Sequence, residues 1–156
     1  MRGFVGKLDF GEIDPYNISK ELWLEQPFGW IDGNIMQVCV PGSLVNGASI
    51  PKMLWPLLDS PLSERNRVWS TPHDCGYSGT SIYLNLSHPS IMHTTYIHIL
   101  NNYTWFPEAQ VPRPHRLWHD KQMFAAMGVM LEGLAKRVAC FSGVRIGGSS
   151  NWRKRV

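Results

Sequence analysis

The chain has 156 residues, 44% of them hydrophobic and 12% aromatic, which suits one folded domain with a sizeable core and excludes a disordered chain. Its formal charge of +3 is too mild to mark a nucleic-acid or membrane binder by itself. The distribution is more telling, because Arg145, Arg153, Lys154 and Arg155 follow Gly143 with no acid among them.

The first forty residues read as strands. The segments FVGKLDF, ELWLEQ, FGWI and NIMQVCV are short, aromatic or β-branched, and separated by turn formers. Asp32-Gly33 is a hairpin-type turn signal. A loop rich in proline and glycine follows over 41–61. Ser70-Thr71-Pro72 then resembles a helix start, with a hydroxyl N-cap and proline at the first helical position. That start puts His73 and Asp74 in the first turn, with Gly76 and Gly79 keeping the helix short. Residues 80–112 read as an inserted hairpin, from IYLNL and TTYIHIL, plus a linker. From Arg116 to about Phe141 one helix is expected. Met123, Phe124, Met127, Met130, Leu131, Leu134, Val138 and Phe141 recur at three and four to make its apolar face. Pro114 and Gly143 bracket it. The remainder, 144–156, reads as a basic tail, and its final GGSSNWRKRV as mobile. The expected fold is α+β: an N-terminal antiparallel β layer packed on two C-terminal helices, with one domain over 1–143.

Cys39, Cys75 and Cys140 are odd in number and widely spaced, which argues against a disulfide framework or a cysteine zinc site. They read as reduced thiols in an intracellular setting. The opening MRGFVGKLDF lacks the apolar run of a signal peptide, so secretion by that route is not expected. No apolar run is long enough for a transmembrane helix.

The chemistry concentrates in His73-Asp74-Cys75-Gly76-Tyr77, with Asp120 on the later helix. On a helix His73 and Tyr77 share a face, while Asp74 points about 100° away. A position near the helix N-terminus would keep His73 neutral and able to take a proton. Asp120 can accept from the second ring nitrogen and fix the tautomer, and the imidazole can then activate water directly. The same four residues can equally form a buried polar clasp between two helices.

Several separated motifs carry a resemblance. Val40-Pro41-Gly42, Asn46-Gly47-Ala48-Ser49-Ile50-Pro51, Trp55, His73-Asp74 with Tyr77, and Arg116, Asp120, Phe124 and Met127 occur in that order. This arrangement resembles a phage and prophage family of unknown function over about residues 20–145, and implies a phage origin and a small α+β domain. The family usually has Asp where this chain has Asn46. A second similarity is to phospholipase A2. It implies His73 as general base, Asp120 as its orienting partner, Asp74 as a calcium carboxylate, and carbonyl ligands from the Gly42–Gly47 loop.

Other candidates fare less well. His88, His93, His98, His115 and His119 lack the tight clustering of a zinc site. The loop bearing Gly42, Asn46, Gly47 and Ser49 lacks a phosphate-cradling Gly-Lys-Ser/Thr, and Ser49 is not in a nucleophile elbow. Trp105, Phe106, Trp152, Arg153, Lys154 and Arg155 suit a partner surface, where aromatics and arginine are enriched. The basic residues also suit contact with lipid or nucleic-acid phosphate.

Two functional readings follow. One is a phage-encoded virion or tail-associated accessory protein, located in the virion or the host cytoplasm. It would contact other virion proteins and retain the His73 cluster as structure. The alternative is a His/Asp-dependent hydrolase, phospholipase-like or envelope-degrading, with calcium as its implied cofactor. The first expects the cluster closed off. The second expects His73 within reach of Asp120 and open to a cleft.

Overall fold

The computed structural model describes residues 1–11, 22–46, 56, 63–147 and 152. Five strands pair antiparallel in one sheet: β1 (Arg2–Val5), β3 (Phe28–Asp32), β4 (Ile35–Cys39), β6 (Ser81–Asn85) and β7 (Gln110–Val111), in the order β1-β3-β4-β6-β7. β2 (Leu22–Trp23) pairs separately with β5 (Leu44–Val45). Four α-helices complete the described part: α1 (Glu64–Ser78), α2 (Tyr96–Asn101), α3 (Arg116–Val129) and α4 (Leu134–Gly147). The fold is α+β, as the sequence implies.

Strand alternation decides which helix lies on which face. On one face Trp30 packs with Trp69 of α1 and Met123 of α3, and Cys39 packs with Cys75 of α1. Gln37, also on this face, donates to the Pro72 carbonyl at 2.6 Å. On the opposite face Ile31, Met36, Val38 and Leu84 cluster with Ile99 and Leu100 of α2. The sheet thus separates α2 from α1 and α3. α4 joins the first side through Cys140 and Val144.

Glycines set two turns. Gly33, at φ 59°, heads the two-residue connection between β3 and β4. Gly42, at φ 84°, follows Pro41 in a turn closed by the Ser43 N–H on the Val40 carbonyl at 3.2 Å.

Four local expectations are corrected. α1 begins at Ser63, whose hydroxyl accepts from the Asn66 N–H, and Pro72 lies inside the helix. Ser70-Thr71-Pro72 imitates a start, but Ser63 followed by Glu64 is the one used. His73 and Asp74 therefore sit past the helix midpoint, and the N-terminal dipole does not keep His73 neutral.

Residues 80–112 are not an inserted hairpin. β6 lies between β4 and β7 in the sheet, and TTYIHIL forms α2, capped by Thr95. Ile99 and Leu100 are buried in the core, and that tertiary burial overrides the β-branched composition.

The single helix expected over 116–141 is two. Leu131 takes a left-handed φ of 59°, its N–H donates to the Gly128 carbonyl at 3.0 Å, and the Glu132 N–H donates to the Met127 carbonyl at 2.9 Å. This is a Schellman ending with leucine where glycine is usual. The expected apolar face holds for Met123 and Met127, but Leu131, Leu134 and Val138 are exposed.

Gly143 does not stop the last helix, which continues to Gly147. Residues 144–147, and Arg145 with them, belong to α4 and not to a separate basic tail. All three cysteines are buried free thiols. Among the described residues no helix is long and apolar enough to cross a membrane.

Candidate active site

α1 and α3 pack against each other with the aspartate of one facing the histidine of the other. His73 Nε2 lies 3.0 Å from Asp120 Oδ1, and the Tyr77 hydroxyl donates to the same oxygen at 2.5 Å. The i,i+4 spacing brings the His73 and Tyr77 rings to 4.2 Å between centroids. The second oxygen of Asp120 accepts from Arg145 Nη1 at 2.8 Å. Arg116 donates to the Tyr77 oxygen at 2.9 Å and to the backbone carbonyls of Val144 and Arg145 at 2.6 and 3.1 Å. It therefore binds the tyrosine while neutralising the negative end of α4.

Asp120 is fully buried and His73 only 4% exposed. Burial alone would raise the Asp120 carboxyl, but hydrogen bonds from His73, Tyr77 and Arg145 outweigh it and hold the group at about 2. Burial pulls the His73 imidazole down, but the hydrogen bond to Asp120 and the carboxylates of Asp120 and Asp74 raise it above 6.5 overall. Tyr77 is pushed up to about 12, first by burial and then by its bond to Asp120. The phenol stays protonated and donates.

The two ring nitrogens of His73 face different groups. Nε2 is committed to Asp120. Nδ1 faces Asp74 Oδ1 at 3.8 Å, beyond hydrogen-bond length. The other oxygen of Asp74 accepts from the Asn46 N–H at 3.2 Å, which brings the Gly42–Asn46 loop to the site. The cluster thus satisfies part of each expectation: His73 is within reach of Asp120, and the pair is nearly closed to solvent.

A calcium ion needs six to eight oxygen ligands. Among the described residues no group of three or more metal-binding side chains exists. The carbonyl ligands implied for the Gly42–Gly47 loop lie partly outside the described residues, since Gly47 is not among them. Gly47, Ser49, Arg153, Lys154 and Arg155 lie outside the described residues.

Of the expected partner contacts, Trp105 is 69% exposed, whereas Phe106 packs partly onto the core beside α2 and is not a free surface aromatic. Trp152 does not project into solvent either. Its ring meets Tyr77 edge-on at 5.2 Å and lies 5.5 Å from the His119 ring.

Sequence reasoning missed Arg113, and it weighed Arg145 only as a tail charge and His119 only as a zinc candidate. Arg113 donates to the last carbonyls of α1, Gly76 at 2.6 Å and Tyr77 at 3.0 Å. His119 sits in the core with Nε2 3.1 Å from the Tyr83 hydroxyl, and burial pushes it down to about 3, so it is neutral. The i,i+4 spacing of Arg116 and Asp120 was a usable signal. Nothing in the sequence links Arg145 to Asp120.

In comparisons with known proteins, no protein-family model, no curated protein and no solved structure matches the chain.

Proposed function

We propose that the chain is a His/Asp-dependent hydrolase acting on an ester or amide of a phospholipid or another envelope component. The observation that carries this reading is the division of labour on His73. Nε2 is fixed by a fully buried carboxylate, leaving Nδ1 for proton transfer beside Asp74. In the proposed step Nδ1 takes a proton from water as the oxygen attacks the carbonyl carbon. Asp120 stabilises the resulting imidazolium, and Tyr77 and Arg145 hold Asp120 in place. The imidazolium then returns the proton to the leaving alcohol or amine as its bond to the carbonyl carbon breaks. No step uses a metal. The phospholipase A2 similarity implies the same roles for His73, as general base, and Asp120, as its orienting partner. The test is hydrolysis of mixed phospholipid vesicles by the parent and by His73→Ala.

A second reading has its own support. Met92, Tyr96, Ile97 and Trp105 are 53%, 40%, 50% and 69% exposed, and α2, which carries two of them, packs on the sheet face away from His73. An exposed apolar group of this kind suits a protein contact. With the motif resemblance to a phage family, it supports a virion or tail-associated accessory role. Ile97→Ser with Trp105→Ser should abolish co-sedimentation with purified phage particles without altering the melting temperature. Unchanged co-sedimentation would remove this reading.

A further inference from the structure

Trp152, beyond the end of α4, packs into the site although its position in the sequence suggests a free tail. The Trp152 ring is held by the Arg113 guanidinium, 3.7 Å from its centroid. Arg113 is itself fixed by the α1 carbonyls of Gly76 and Tyr77. Held there, the indole touches both aromatic neighbours of the dyad, Tyr77 and His119.

We infer that Trp152 is a positioning residue of the site: clamped on Arg113, it seats Tyr77 on Asp120 and screens His119 from water. The chain of contacts runs Arg113 to Trp152 to Tyr77 to Asp120 to His73. Loss of the indole frees the Tyr77 ring, and the orienting carboxylate then loses one of its donors. Trp152 acts through Tyr77, so it affects the rate and not the capture of substrate. The assignment rests on the hydrolytic reading of His73 and Asp120.

Two readouts test it in the full chain, comparing the parent with Trp152→Ala and Trp152→Phe. The first is the titration of the His119 ring by long-range 15N NMR. Burial is the main cause of its depression to about 3, and the other charges acting on it are His73 from α1, Arg113, and His115 and Asp120 from its own helix region. Trp152→Ala should move the His119 midpoint up toward 6.5 while the rest of the spectrum is retained. Trp152→Phe should hold it near the parent value. The second readout is vesicle hydrolysis, where Trp152→Ala should lower kcat by up to about a hundredfold with KM unchanged, and Trp152→Phe should recover most of the loss. An unmoved His119 midpoint in Trp152→Ala overturns the screening role. A raised KM at unchanged kcat overturns positioning. A moved midpoint with an inactive parent overturns the hydrolytic reading and with it the catalytic part of this assignment.

Discussion

Gly76 and His119 occupy adjoining space that no side chain at position 76 could share. A methyl added there would overlap the His119 imidazole. Gly76 lies inside α1 and is buried. Its value is the close approach of α3, which brings Asp120, the neighbour of His119, to His73.

Gly76→Ala should therefore destabilise the protein by about 1–3 kcal/mol despite alanine's better helix propensity. A shift of the urea midpoint at unchanged slope measures this. A neutral or stabilising result would mean that His119 can move aside.

This close approach also bears on what the sequence reveals. HDxxY with a later aspartate on a helix is enough to suggest the His73–Asp120 pair, because a spacing of four puts His73 and Tyr77 on one face. The α+β class was legible from alternation and turn residues. The helix boundaries were not. Pro72 imitates a first-turn proline, and Leu131 fills a left-handed position where glycine would have marked the end of α3. The strand reading of TTYIHIL failed because burial of Ile99 and Leu100 against the sheet decides that segment. Arg145 and Trp152 reach the site only through tertiary folding, and no local pattern announces such contacts.

The leucine at position 131 offers a check on the α3 ending. It is 86% exposed at φ 59°, so its side chain gains little and its backbone is strained. Leu131→Gly should stabilise the fold by about 0.5–1 kcal/mol, the left-handed penalty less the added chain entropy of glycine. Thermal melts of the two proteins decide it, and a destabilised variant would contradict the assignment.

Acid stability should report on His119. Its folded value, about 3, is below the ordinary 6.5, so the unfolded chain binds the extra proton between those values. Stability from this group is present above pH 6.5 and is lost as pH falls toward 3. His119→Gln, whose amide can still meet the Tyr83 hydroxyl, should flatten this limb in urea titrations. His73 works in the opposite sense. Its folded value is raised, so its contribution is full below 6.5 and is lost as pH rises through the folded value.

The same raised value sets the pH profile of turnover. His73 must be neutral to accept a proton, so kcat/KM should rise with pH through an inflection above 6.5. Asp120→Asn removes the carboxylate that helps to raise it and should move the inflection down while lowering the plateau. An inflection that stays in place in Asp120→Asn would show that another group titrates.

The most direct measurement is hydrolysis of mixed phospholipid vesicles by the purified chain, in calcium and in chelator, beside a His73→Ala variant shown to be folded. Turnover is expected in chelator as well as in calcium, reduced about 10²–10⁴-fold in His73→Ala. Absence of turnover in the folded parent under both conditions, or equal turnover in the variant, would contradict it and leave His73 and Asp120 as a buried clasp between α1 and α3.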